Sequence, residues 1–414
     1  MNTSLTFLGG ASEVGRLGTL LENDDGRILI DYGLKPDNPP QFPMPAPTVD
    51  SLLLTHAHLD HSGLTPHIAS SGSPICSTPL TIRLAEVLAK DTLKISKQEG
   101  YQEPFTKEAI LEQNSNHFAH KLNKEYYHSG FSYKSLNAGH IPGAVMYHFP
   151  DLDFLFTGDI NTINTGLTRA AKPISCKTIA IESTYAGRNH EDRSTIESHF
   201  VDSVEDVINR GGQVVLPAFA LGRSQELLML LRKLDIDIWL DGMGREIANI
   251  FSNYPRDLRN SGLYFDTLKR TKFVRSWRQR NRAAKGDVIV TTAGMLEGGP
   301  VMHYLSKIRK DENSAMFITG YQAEGTNGRA LLETGKARLD RNKKSPHFDI
   351  DCQIKKFDLS GHADHTQLID FIDKCQPDNV ILFHGDNREE LAKDLTNYNV
   401  HLPIEGSPLN IGSN

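Results

Sequence analysis

Within the stretch HAHLDHSG, residues 56–63, three histidines and an aspartate fall in six positions, directly after the apolar run Ser51-Leu52-Leu53-Leu54-Thr55. Neutral imidazoles and carboxylates are good ligands for zinc and similar divalent ions. In an extended strand the side chains alternate between faces, so His56 and His58 point the same way, and a turn after them can swing Asp60 and His61 toward the same point. A single histidine in such a place would be read as a solvated loop residue. Four ligand-type side chains in an H-x-H-x-D-H pattern at a strand end are read as a metal site.

The elements that must position these residues are those of a globular protein. A chain of 414 residues exceeds the size at which single cores stop growing, so two domains are expected. The apolar fraction is 38%, and no stretch approaches the roughly 20 apolar residues of a membrane span. The N-terminal residues read as a first strand, not a signal peptide, which predicts a cytoplasmic protein with no membrane partner. Cys76, Cys176, Cys352 and Cys375 form no paired spacing and are expected to be reduced and buried. The net charge of −6 gives no global attraction to nucleic acid, so any polyanion binding must come from local basic clusters.

Short apolar runs alternate with turn residues through the first 185 or so positions: Leu5–Leu8, Arg27–Ile30, Phe154–Phe156 and Thr178–Ile181 read as strands, and Thr81–Leu93 as a helix. From about residue 190, strand-like segments such as GGQVVLPAF, KGDVIVTTAGM and SAMFITGYQ are separated by helix-length segments including Ser224–Lys233, the pattern of a parallel α/β sheet. Strands return from about 346, at Phe348–Ile354 and Asn379–Phe383, around a helix at Thr366–Lys374. The simplest organisation is one domain (1–187 and 346–414, its two pieces sharing a sheet) interrupted by another (188–345).

HAHLDH, with motifs elsewhere in the chain, resembles the metallo-β-lactamase superfamily, whose fold is an αββα sandwich with metal ligands on loops at one edge. By that resemblance NAGHIPGA supplies His140, FLFTGD supplies Asp159, VILFHGD supplies His384 and ILIDYG supplies Asp31. The resemblance implies that His56, His58 and His140 hold one divalent ion, Asp60, His61 and His384 a second, and that Asp159 bridges them, with Asp31 orienting ligands. Zinc is the expected metal, manganese the alternative. Two such ions about 3.5–4 Å apart activate water and neutralise charge on a phosphodiester.

A leaving alkoxide also needs a proton, and DLSGHADH and IAIESTYAGR supply His362 and Glu182, a histidine and a carboxylate that can fix its tautomer. ESTY, SGHAD and HGD resemble motifs A, B and C of the β-CASP group, a branch acting on nucleic acids with an extra domain inserted into the hydrolase. Glu182, His362 and His384 take those places, and Asp60, Glu182 and His362 are the expected catalytic set. A histidine at motif C is the pattern of members that act on RNA. FLGGASEVGR and DYGLKPDNPPQFPMPAP are most similar to archaeal homologues of the endonuclease subunit of the cleavage and polyadenylation factor, and less similar to RNase J. The first hydrolase strand begins within about ten residues of Met1, which resembles the short class lacking KH modules. That class implies 5′→3′ exoribonuclease activity on single-stranded RNA, with endonucleolytic 3′-end formation as the alternative and a homodimer as a family expectation.

The RNA is expected to run in a cleft between the two domains. Glycine-rich turns GMLEGGP (Gly294, Met295, Gly298, Gly299) and GYQAEGTNGR (Gly325, Arg329) allow close backbone approach to phosphate, with Arg223 and Ser360 added to that set. Between Lys269 and Lys285 lie eight Lys/Arg and no acid, with Phe273 and Trp277 interleaved. On a helix, Arg275, Arg278 and Arg282 would share a face suited to phosphates, although a solvated helix face accounts for such a run equally well. Two other readings compete with a ribonuclease. A small-molecule metallohydrolase gives no reason for the insert or for SGHAD, and an RNA-binding subunit without chemistry would be expected to have broken ligands.

Overall fold

The computed structural model describes residues 3–412 and divides into two compact units, residues 3–164, 169–189 and 362–412 forming the first, and residues 165–168 and 190–361 the second. The first unit is built on two seven-stranded sheets. One runs, edge to edge, Leu409–Asn410, Ser4–Gly9, Gly18–Glu22, Arg27–Tyr32, Ser51–Leu53, Ile75–Ser77 and His117–Ala119. The other runs Asn399–His401, Asn379–Phe383, Thr178–Glu182, Phe154–Phe156, Val145–Phe149, Phe131–Asn137 and Glu125–His128. Side chains of both sheets share one core, Leu5, Phe7, Ile28 and Leu53 from the first with Tyr147, Phe156, Ala180 and Phe383 from the second. That is the sandwich expected of the fold.

The sequence explains why the central strands lie where they do. Thr178–Glu182 (TIAIE) is buried along its whole length and pairs in parallel with both Phe154–Phe156 and Asn379–Phe383. Such two-sided burial is what a run of apolar and β-branched residues selects. The two outer pieces of the chain thus do share a sheet. Helix Pro79–Glu99 starts on the Thr78 hydroxyl, which accepts from the Thr81 N–H, and stops at Gly100 in the left-handed conformation, φ 73°. Helix His365–Cys375 is capped by Asp364 and Gln367 acting reciprocally, which fixes the chain immediately after His362.

The second unit is a six-stranded sheet in the order Lys272–Phe273, Ile238–Asp241, Val288–Thr291, Val214–Pro217, Ala315–Ile318, Gln353–Lys356, every pairing parallel. Its return point differs from the expected residue 346. Gln353–Lys356 pairs with Ala315–Ile318, and Phe348–Asp349 pairs with Lys336–Ala337, so the single strand expected over 348–354 is two short ones and the second unit extends to Gly361. QIKK carries little apolar signal because it is an edge strand, only partly buried. All four cysteines are buried and unbridged. Among the described residues no helix is long and apolar enough to cross a membrane.

Candidate metal centre

The strand Ser51–Leu53 delivers the chain to Thr55 and His56, both buried, and a single helical turn, Leu59–Ser62, follows His58. That turn brings Asp60 and His61 back toward the strand end. The rings of His56 and His61 lie 4.0 Å apart, and those of His58 and His140 4.9 Å apart. His140 comes from the loop between Phe131–Asn137 and Val145–Phe149, Asp159 from the segment after Phe154–Phe156, and His384 from the end of Asn379–Phe383.

The side chains converge in three groups, in each of which one ligand atom per residue lies within 4.8 Å of the others: His56, His58, His140 and Asp159; Asp60, His61 and His384; and Asp159, Glu182 and His362. Asp159 faces two ways. Its Oδ2 is 3.5 Å from His56 Nε2 and 3.6 Å from His140 Nε2, while its Oδ1 is 3.3 Å from His61 Nε2 and 3.3 Å from His384 Nδ1. Asp60 Oδ2 is 3.4 Å from His384 Nε2.

Asp31 stands behind this array. Its Oδ1 accepts from the Thr55 N–H (2.7 Å), and its Oδ2 accepts from the Thr55 hydroxyl (2.7 Å) and faces His61 Nδ1 at 2.7 Å. A carboxylate on one ring nitrogen turns the other toward the centre, as in metal-ligating histidines generally. Asp31, next to last in its strand, and His384, the first residue after its strand, have positive φ, 57° and 53°, a backbone region that non-glycine residues enter at a cost. Glu182, fully buried at the end of its strand, accepts from the Ile160 N–H (2.9 Å) and lies 3.0 Å from His362 Nδ1. The His362 ring packs 4.4 Å from that of His140 and 5.9 Å from that of Tyr185.

Thr55 went unread in the sequence. Its hydroxyl is 3.1 Å from His56 Nδ1 as well as bonded to Asp31, so it ties two of the clustered histidines to one carboxylate. Its signal was its place, a hydroxyl-bearing residue directly before the first histidine.

The donor set fits divalent cations. His61 Nε2 and Asp159 Oδ1 are buried and, although 3.3 Å apart, make no hydrogen bond, a condition rare for buried polar atoms in folded proteins. The field points the same way. Burial acts to lower the pKa of His61, but Asp159 and Asp31 outweigh it and hold that ring well above the usual histidine range. His384 is likewise raised, to about 10, burial being outweighed by Asp159 and Asp60. His56, where burial prevails and His61 adds to it, is pushed well down. Asp60 and Asp159 therefore favour positive charge in their midst, which is the electrostatic requirement of a cation held by carboxylates and neutral imidazoles.

The residues expected to touch RNA in the second unit fall into two sets. The glycine-rich turns come together: Gly328 N–H donates to Met295 O (3.0 Å), Gln322 Nε2 to Gly294 O (3.0 Å) and Asn327 Nδ2 to Leu296 O (3.2 Å). Gly298 and Gly299 have φ of 126° and 73°, and Gly325, φ 75°, borders open space. The arginines are committed locally: Arg223 pairs with Glu226, and Arg329 with Glu333. Ser360 accepts from Arg193 through its carbonyl (2.9 Å). Arg275 precedes the helix Trp277–Ala283 and does not lie on it, because the Ser276 hydroxyl caps that helix through the Gln279 N–H.

Residues 14–75 match the metallo-β-lactamase superfamily, residues 224–331 the Beta-Casp domain, and residues 348–403 a Zn-dependent metallo-hydrolase RNA specificity domain. The chain is 33% identical over 401 residues to a protein of Methanocaldococcus jannaschii named Probable RNase MJ4, covering 92% of this chain and 93% of that one. It is 35% identical over 415 residues to the RNase aCSPSF2 of Saccharolobus solfataricus, covering 95% and 81%. With the transcription termination factor FttA of M. jannaschii identity is 32% over 432 residues, covering 92% and 67%. The fold is similar to that in a crystal structure of a protein of unknown function from Enterococcus faecalis V583, with a TM-score of 0.62, 14% identity, and coverage of 99% and 100%. The fold and the histidine–aspartate array are those of a metallo-β-lactamase-type hydrolase. Within that class, the chain belongs to the β-CASP ribonuclease group, among archaeal relatives.

Proposed function

We propose that this protein is a two-metal ribonuclease that hydrolyses phosphodiester bonds of single-stranded RNA, progressing 5′→3′. The observation that carries the reading is Asp159, whose two oxygens face two separate ligand groups, with the Glu182–His362 pair closing a third group on the same carboxylate. His56, His58 and His140 would hold one ion, Asp60, His61 and His384 the other, zinc being the metal best suited to so many imidazoles. When bound, the ions supply Lewis acidity toward the phosphate and a nucleophile from water at neutral pH.

The chain's own residues do the rest. Asp31 and Thr55 fix the His61 ring, and Asp31 keeps its Nδ1 engaged so that Nε2 is aimed at Asp159. Glu182 lies on the Nδ1 edge of His362, so the proton His362 passes to a leaving oxygen is carried on Nε2. The names of the two RNase relatives support the substrate class. The name of the FttA relative, a transcription termination factor, favours a second reading, a part in transcription termination, which endonucleolytic cleavage at RNA 3′ ends would serve.

The test is digestion of 5′-labelled and 3′-labelled single-stranded RNA by the purified chain, with and without chelator. Successive short products from the 5′ end, lost with chelator, are expected. Internal fragments appearing first would select the endonuclease. Hydrolysis of esters with no RNA turnover would overturn the ribonuclease reading.

A further inference from the structure

We propose that the segment Arg275–Arg282, together with His303, is a docking surface for single-stranded RNA on the second unit, with the Trp277 indole as a base-stacking platform. The identity of the polyanion rests on the ribonuclease reading above; the surface itself rests on the following geometry.

Every pairing in the second unit's sheet is parallel, so all its strands end at one edge. Sheets of this kind gather ligands at that edge. Strand Lys272–Phe273 ends there, and after the buried Val274 the chain runs through Arg275, Ser276, Trp277 and Arg278, all exposed. The glycine-rich turn after Val288–Thr291 leaves the same edge and leads directly into the helix Val301–Ile308, which carries His303. The ring of His303 lies 4.9 Å from that of Trp277, so the glycine-rich turn and the basic segment adjoin one surface.

Trp277 is 60% exposed, whereas the other tryptophan, Trp239, is 6% exposed. What sets this ring apart is its setting, a broad π-face presented to solvent amid basic side chains. The indole is nevertheless braced. Arg280 stands 5.8 Å over it, and that guanidinium is itself anchored on the fully buried Asp241 by two bonds of 2.6 and 3.1 Å, with the Tyr304 hydroxyl donating to the same carboxylate. A stacking surface held in place before binding loses little freedom when a base arrives.

The charges divide in two. Lys269, Lys272 and Arg280 are spent on Asp266, Asp237 and Asp241, and Arg270 donates to the Arg232 carbonyl. Arg275, Arg278, Arg282 and Lys285 are exposed and have no acidic partner among the described residues. One presented aromatic amid uncompensated cations suits a flexible polyanion whose bases each offer a π-face. A protein interface would instead call for a contiguous apolar core.

The experiment measures anisotropy of a fluorescent oligouridylate of ~20 nucleotides on the full metal-loaded chain carrying His362→Ala, so that the strand is bound without being cut. Adding Trp277→Ala should weaken binding about 5-fold or more, the scale of one stacked base, and Trp277→Phe should restore most of it. Adding Arg275→Gln, Arg278→Gln and Arg282→Gln together should weaken binding further. It should also flatten the dependence of log affinity on log salt by about 2, at about 0.7 per phosphate contact. Both sets should leave the parent's metal content and its unfolding midpoint in denaturant unchanged. If the parent binds and all variants bind equally well with the same salt slope, the surface is refuted, which is also the result expected of a patch that docks a protein instead. If the parent fails to bind the strand at all, the ribonuclease reading falls with it.

Discussion

The first unit keeps its charged and titratable groups at the metal centre out of water and leaves some of them unsatisfied; the second unit keeps many of its charges in water and pairs several of them. His61 Nε2 and Asp159 Oδ1 are buried with no hydrogen bond. Arg329, Lys269 and Lys272 each have an acid close at hand. Unmet buried polarity is expensive and persists where something else is to be held. Exposed pairs contribute little and persist easily. A run of bases is therefore a weaker sign of function than a few buried polar atoms that face one another without hydrogen bonds, and within the run only the uncompensated members carry meaning.

Substitutions can break or sharpen this contrast. The largest effect is expected at Asp159→Ala, which removes the carboxylate common to all the ligand pairs it faces. RNA cleavage should fall by several orders of magnitude, and bound metal by elemental analysis should drop with it; full activity with unchanged metal content would refute the bridging role. His362→Ala should lower kcat by about 10²–10⁴-fold, the range for loss of an acid–base group, while metal content stays as in the parent. Asp31→Asn should weaken metal affinity about 10–100-fold by loosening His61, with activity recovering at high metal, as titration against a chelator would reveal. In the second unit, Arg280→Ala leaves the buried Asp241 carboxylate uncompensated. It should cost about 3 kcal/mol in denaturant unfolding without touching metal content. Lys269→Ala should be the smallest, within about 1 kcal/mol in the same assay, since its pair with Asp266 is exposed.

Sequence alone reached the centre unevenly. The four ligand-type residues of HAHLDH are legible because they fall within six positions and follow a strand. His140, Asp159 and His384 are separated by up to hundreds of positions, and only resemblance to a fold brings them in, since nothing in local spacing says that three different strand ends meet. Thr55 was invisible for a related reason: its hydroxyl matters only because Asp31 arrives from a neighbouring strand. The buried strands of both units were readable from apolar runs, whereas Gln353–Lys356 was not, its pairing partner supplying the apolar side. Arg275 was placed on a helix that begins two residues later, because a serine cap is a weaker signal than basic periodicity.

The left-handed backbone at Asp31 and His384 has an evolutionary consequence. Glycine at position 384 would relax the chain there while deleting an imidazole, so a sturdier but inert scaffold lies one substitution away, and copies of this chain relieved of selection for activity should drift in that direction.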